Sequence, residues 1–274
     1  MKQKFYILLV ALLATLLSAQ AQSTGYNFRD FTNVSASGSV MVVITQGDHY
    51  SISVKESKDP NLLTVVEKRG QTLHVYTKNK KRSSKNSSSP TVSITMPRLN
   101  GLTASGATKV SLGNLTTGDF SATTSGASHL TMGRMACGAM KLTMSGASEL
   151  KTGSMAVGSL QLQMSGASSV KADIQCKGDA SMQCSGASSQ DLTLKAHALT
   201  IANSGAAKCH MVFSGGSVNA RNSGAGQMKL DVDCEFLQAK NSGAADFVIK
   251  GTADRTDIDL SGTSKINTSA LNKY

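Results

Sequence analysis

The chain has 274 residues, with 25 Gly, 3 Pro, 12 Met, 5 Cys and no Trp; aromatics make up 4%, charged residues 16%, and the formal net charge is +11. So low a charge content excludes a charged disordered tail protein, and 40% hydrophobic residues suffice for a core. With aromatics scarce, that core has to be built from small and medium aliphatic side chains, a composition unusual for a compact enzyme and common in stacked repeats.

Residues 1–21 read as a secretory signal. Lys2 and Lys4 supply the charged start, Ile7 to Leu17 the apolar run, and Ala19-Gln20-Ala21 the small-x-small pattern that places cleavage after Ala21. The run falls short of the ~20 residues that a membrane-crossing helix needs. No Cys follows it to carry a lipid, and no later stretch is long and apolar enough to span. The expectation is an exported chain with no integral membrane segment after processing, found in the periplasm, on the outer surface or secreted. Loss of Lys2 and Lys4 lowers the net charge from +11 to +9.

Residues 22–274 are expected to form one domain, of which 22–100 are β-rich but keep no period. Ser39–Thr45 and Tyr50–Lys55 flank Gln46-Gly47-Asp48-His49, a hairpin-like or corner turn. Asp59 as a cap and Pro60 in the first turn predict a short helix over residues 61–66. Thr72–Thr77 and Thr91–Met96 are further strands. Lys78 to Pro90 is a polar excursion with nothing apolar to bury, and it reads as a mobile loop. It carries Lys78, Lys80, Lys81, Arg82 and Lys85, five of the mature excess of nine, and is a candidate anionic-ligand loop as well as a simple solvated one. No aromatic interleaves it to stack on bases, and with export this argues against nucleic acid.

From residue 101 to 269 one tripeptide recurs. Ser-Gly-Ala begins at Ser105, Ser125, Ser145, Ser165, Ser185, Ser204, Ser223 and Ser242, and Ser-Gly-Thr at Ser261, with spacings of 20 four times and then 19 four times. Such self-similarity is the signature of a solenoid. Three residues before each Ser the column is apolar (Leu102, Ala122, Leu142, Leu162, Met182, Ile201 and onward), as are most residues five and seven after it. The column four after is polar: Lys109, His129, Glu149, Ser169, Ser189, Lys208. A period of two on both sides of a Gly-containing bend means strand, tight bend, strand. Each coil is too thin to bury its apolar face alone, so coils stack in parallel ladders ~4.8 Å apart, giving a rod of roughly 40 Å. Strand crossovers are nearly always right-handed. The fold class is therefore all-β: a single-stranded right-handed parallel β-helix with coils of 19 to 20 residues. Ser37-Gly38-Ser39 resembles the later corners and places residues 22–100 as the first, longer coils of the same helix.

The position before each corner Ser runs Ala104, Thr124, Met144, Met164, Cys184, Asn203, Asn222, Asn241, Leu260. Three Asn at one-coil spacing predict a structural amide ladder, each side chain bonded to the next and to corner backbone. The change from Met to Asn coincides with the shortening from 20 to 19, which suggests that this corner changes geometry there.

No catalytic constellation, cofactor motif or metal spacing stands out. His49, His74, His129, His197 and His210 fall in different coils, and no G-x-S-x-G elbow occurs. Asp231, Asp233, Asp254, Asp257 and Asp259 are the nearest thing to an acidic cluster, and they read as a charged edge that discourages end-to-end pairing. A flat repeated Thr array, as ice binding would want, begins with Thr103, Thr123 and Thr143 but stops there. Cys137, Cys176, Cys184, Cys209 and Cys234 share no column at one-coil spacing, so mostly free thiols are expected.

The signal-like start, the stretch Ser37-Gly38-Ser39-Val40 through Ile44-Thr45-Gln46-Gly47, and the Ser-Gly-Ala coils together resemble the bacterial auto-transporter adhesin "head GIN domain" family of Bacteroidetes, over about residues 28–262. The resemblance implies an exported or envelope β-helix with an adhesive role, and no catalytic residues belong to its motif. Three functions follow for testing: a non-enzymatic binding or adhesion-like module of the cell envelope, engaging a glycan or other envelope component; a structural envelope scaffold in which the rod forms a homo-oligomer; and a carbohydrate-active enzyme. An isolated polar or basic groove would favour the first, an apolar face or open end the second, and carboxylates clustered in a groove the third.

Overall fold

The computed structural model describes residues 23–79 and 88–273; Ala21 with its proposed cleavage point, and Lys80, Lys81, Arg82 and Lys85, lie outside them. The irregular part holds β1 (Ser23–Tyr26), β2 (Asn33–Gly38), β3 (Met41–Gln46), β4 (Ser51–Lys55), β5 (Leu62–Arg69), β6 (Thr72–Asn79) and β7 (Thr91–Met96). The repeats follow as β8 (Gly101–Gly106), β9 (Lys109–Leu112), β10 (Leu115–Thr116), β11 (Phe120–Thr124), β12 (His129–Met132), β13 (Met135–Met144) and β14 (Glu149–Met164). The last coils are built from β15 (Ser169–Cys176), β16 (Ala180–Cys184), β17 (Ser189–Asn203), β18 (Lys208–Asn222), β19 (Gln227–Asn241), β20 (Asp246–Leu260) and β21 (Lys265–Lys273).

From β8 onward the strands stack as a parallel β-solenoid. Ala122 lies in register with Leu102 on one side and Leu142 on the other, and the same column continues through Leu162, Met182, Ile201, Ala220 and Ala239. Alternation decides which residues turn inward: β19 alternates buried and exposed positions along nearly all of its 15 residues. The buried columns are Leu, Met, Val, Ile and Ala, with Phe120, Phe213 and Phe247 inserted where the column is wide enough. Stacked equivalents bury one another, so no coil needs a large aromatic core.

The corners require glycine. Gly146 has φ +69°, and a Cβ there would lie 2.6 Å from the carbonyl oxygen of Gly126 in the coil below. The left-handed conformation and the close backbone approach are both closed to other residues. The ladder runs through the bend without interruption: Ala127 N–H donates to Gly106 O and Ala147 N–H to Gly126 O, each at 2.8 Å.

The residue lost at the change from 20 to 19 does not come from this corner. Coils pair at a spacing of 20 from Ser169↔Ser189 to Gln175↔Lys195, and at 19 from Ala180↔Leu199 onward. The shortening thus falls at the opposite bend, where Lys177-Gly178-Asp179 separates β15 from β16 and the next coil runs straight through as β17. The Ser-Gly-Ala corner keeps its shape across the change, with φ of +70°, +72° and +72° at Gly166, Gly186 and Gly205.

The irregular strands belong to the same stack but not in chain order. The corner at Gly38 lies beneath that at Gly106, with β2 and β3 under β8 and β9. The next parallel layer down is β6 and β7, later in sequence. Beyond it pairing turns antiparallel: β5 on β6, β4 on β7 and β1 on β4. The helix expected over 61–66 is therefore strand β5. Thr64, Val65 and Val66 are β-branched, and eight residues pair with β6, which outweighs the local helix start. Asp59 instead closes a turn, accepting from Asn61 N–H at 2.9 Å. Strands β3 and β4 do not pair with each other but flank β7 on either side, so Gln46–His49 is a corner and not a hairpin.

Candidate binding groove

The residue two before each corner Ser faces outward, and the corner Ser beside it is only partly covered. Over seven coils these two columns bound a groove of about 950 Å³. It runs past Thr143, Gln163, Gln183, Ala202, Arg221, Lys240 and Asp259, with Ser165, Ser185, Ser204, Ser223 and Ser242 along its edge. Six coil spacings of ~4.8 Å make it roughly 29 Å long, parallel to the rod.

Its chemistry is polar and graded. Three of the serine hydroxyls make long bonds to the coil below: Ser165 to Met144 O at 3.5 Å, Ser185 to Met164 O and Ser223 to Asn203 O at 3.3 Å. Bonds of that length are weak, and both lone pairs of each hydroxyl stay open to a ligand. Arg221 and Lys240 are in register on adjacent strands. Like charges so placed repel. Lys240 is relieved by Asp259 at 3.5 Å, whereas Arg221 has no acidic partner among the described residues and borders the short side chain of Ala202. The groove is thus long and narrow, with its unpaired positive charge toward one end.

Beneath the groove wall the inner corner holds two complementary polar columns. Thr108, Ser128, Ser148, Ser168 and Ser188, three after each corner Ser, are at most 1% exposed. Their hydroxyls satisfy the bend: Thr108 donates to Ser105 O at 2.6 Å and Ser168 to Ser165 O at 3.0 Å. In the next three coils this position becomes Ala207, Gly226 and Ala245, and the position before the Ser becomes Asn203, Asn222 and Asn241. Asn222 donates to Asn241 Oδ1 at 3.1 Å and to Asp246 O at 3.3 Å, and Asn241 donates to Ala245 O and Lys265 O at 2.9 and 2.8 Å. In these coils an amide before the bend replaces a hydroxyl after it as the buried donor, and it reaches different carbonyls, beyond the bend and in the next coil. At Ser264, beside Leu260, the hydroxyl returns and donates to Ser261 O at 2.8 Å. Asn203 stands apart: it is 2% exposed, its amide bonds to no backbone group, and its one polar contact is the Cys209 thiol, a weak partner.

A second amide ladder, on the outer face, carries no signal in the repeat itself. Asn219 donates to Gln238 at 2.9 Å and Gln238 to Asp257 at 2.8 Å, four residues before each corner Ser. Only alignment of this column across coils could have revealed it.

The remaining candidates are dispersed. Lys78 lies in β6 with its ammonium 5.3 Å from the Tyr76 ring centroid. Asp231 pairs with Lys250 at 2.8 Å, Asp233 accepts from Thr252, and Asp257 and Asp259 are engaged as above. His129 lies 3.5 Å from Glu149, His210 3.1 Å from Asp191 and His49 2.7 Å from Asp48, all on the surface. Among the described residues no group of three or more His, Cys, Asp or Glu could hold a metal. All five cysteines are unpaired; burial pushes the Cys184 thiol up to about 12 and the Cys137 and Cys234 thiols up to about 11.

The sequence model described as "Putative auto-transporter adhesin, head GIN domain" matches residues 30–198 and 193–273. Three crystal structures share the fold at 14% identity: a putative adhesin from Parabacteroides merdae, a putative lipid binding protein from Parabacteroides distasonis and a putative adhesin from the same organism. Their TM-scores are 0.61, 0.58 and 0.54; the matches cover 92%, 90% and 93% of this chain and 97%, 96% and 97% of theirs. No curated protein matches the chain.

Proposed function

The chain belongs to the auto-transporter adhesin head GIN domain family, and from that premise we propose that it is an exported, non-enzymatic binding module of the bacterial cell envelope. Its groove holds an extended polar polymer, a glycan strand with acidic groups, lying along the coils. The observation that carries this reading is the groove itself: continuous over seven coils, with polar side chains at every step but Ala202 along its outward column, and Arg221 unneutralised beside Lys240. A repeat of coil-spaced donors and acceptors matches a polymer better than a compact small molecule, which a deeper and more apolar pocket would suit.

The enzymatic alternative is poorly supported. Glycoside hydrolysis needs two carboxyl groups facing each other across the scissile bond. Asp259 is the one acid lining the groove among the described residues, and it pairs with Lys240. The family and the neighbouring structures described as adhesins point the same way. Among the described residues no helix is long and apolar enough to cross a membrane.

A glycan array probed with the chain from Gln22 onward tests the proposal, alongside Arg221→Gln/Lys240→Gln. Binding should concentrate on acidic linear glycans and fall at least tenfold in the variant, with an unchanged melting temperature. Equal binding by both proteins, or none by either, would contradict it.

A further inference from the structure

The two ends of the rod are finished differently. At the N-terminal end the parallel stack closes in antiparallel strands, with β4 and β5 laid over β7 and β6 and β1 over β4. At the other end nothing among the described residues lies over the last coil. Strand β21 pairs only with β20, and the stretch of β20 from Asp254 to Leu260 pairs only with β19. Both are edge strands whose backbone groups point off the end of the rod.

Among the described residues the inward columns reach this end without a lid. Leu260 is 51% exposed, where Asn241 in the coil below is 2%. Ile258 and Ile266 are only half-buried, above Ala239 at 0% and Phe247 at 1%. Leu271 is likewise half-buried. The end of the core is thus an apolar surface framed by two open strand edges.

Charge decides what fits there. The β20 edge carries Asp254, Asp257 and Asp259 against a single Arg255, whereas β21 carries Lys265 and no acid. One side of the terminal coil is acidic and the other basic. We propose that a second copy of this chain caps this end, tail to tail, about a two-fold axis through the Ser261-Gly262-Thr263 corner and perpendicular to the rod.

That axis has a particular geometric consequence. The β20 edge runs toward the corner and β21 runs away from it. Rotation about the corner therefore lays the acidic edge of each copy against the basic strand of the other, antiparallel, twice over. Leu260, Ile258 and Ile266 of the two copies close into one core. An axis that set β20 against β20 would oppose like charges. Head-to-tail stacking would press this end against the antiparallel strands of the capped end. The contact is isologous and uses up the open end, so assembly stops at two.

Sedimentation velocity of the chain from Gln22 onward, over a range of concentrations, tests this. The wild type should sediment as a dimer. Asp254→Lys/Asp257→Lys makes both edges basic, and Lys265→Glu/Asn272→Glu makes both acidic; Asp254, Asp257, Lys265 and Asn272 are exposed, and circular dichroism checks that each variant is folded. Each variant alone should be monomeric, and an equimolar mixture should restore a dimer, because each basic edge then meets an acidic one. A wild type that is monomeric at every concentration, that grows beyond two copies, or that dimerises regardless of either reversal would overturn the proposal.

Discussion

At the scale of single residues, three neighbouring asparagines should behave differently. Asn241 satisfies two backbone carbonyls, Ala245 O and Lys265 O, while the Asn203 amide satisfies none. Leucine already occupies this column at Leu260. Asn241→Leu should cost about 1–2 kcal/mol, since two amide hydrogen bonds are lost while Ala245 O keeps the Lys265 N–H at 3.2 Å. Asn203→Leu should be neutral or stabilising, because it removes a buried polar group whose one polar contact is the weak Cys209 thiol. Urea unfolding of the two variants checks the order, and a larger loss at Asn203 would refute it. The thiols give a second residue-scale expectation. Only a thiolate reacts with disulfide reagents, and burial pushes Cys184 to about 12 and raises Cys209 as well. At pH 8 the folded protein should leave these two unmodified for hours, and all five should titrate once the unreduced chain is unfolded. Fewer than five would mean that bridges exist.

At the scale of strands and coils, the outward ladders stabilise locally and weakly. The Asp191 carboxyl is held below the usual carboxylate range by Lys171 at 2.6 Å, and then by His210, in the coils on either side. A carboxylate with a depressed pKa adds stability that is present above its unfolded value near 3.8 and is lost as pH falls through the lower, folded value. The pair is about half exposed, so Asp191→Asn should cost less than about 1 kcal/mol at pH 7. That difference should vanish below the carboxylate range, as chemical unfolding at pH 7 and pH 2 would show. The regular coils were legible in the sequence for a related reason. Stacking forces each column to share one environment, so Leu102, Ala122 and Leu142 reveal their common fate by spacing alone. Residues 61–66 were misread because their partner, β6, is a non-local antiparallel strand that no local pattern announces. The reversed stacking of β6 and β7 beneath β2 and β3 was hidden in the same way.

At the scale of the whole molecule, the groove is the feature that separates a structural rod from a binding one. Its members could be read as columns, and Gln163, Gln183, Arg221 and Lys240 end the Thr run that begins the series. What spacing could not convey is that the corner Ser column leaves a hollow beside them, because depth depends on the bend. The Asn column stands out in the sequence, yet its amides serve the inner corner, and the side chains that face the groove lie one residue earlier. Composition points to a basic protein, and the coils offset part of that charge by pairing cations with acids in adjacent strands, at Lys171, Lys240 and Lys250. Of the two cations that line the groove, Arg221 is the one without an acidic partner among the described residues. The most direct test of the groove as ligand site alters its shape and leaves its charge alone. Ala202→Phe places a bulky ring at the half-buried step between Gln183 and Arg221. Calorimetric titration with the tightest array glycan should show affinity reduced at least tenfold in this variant, with the melting temperature unchanged. An affinity equal to that of the wild type would place the binding surface elsewhere on the rod.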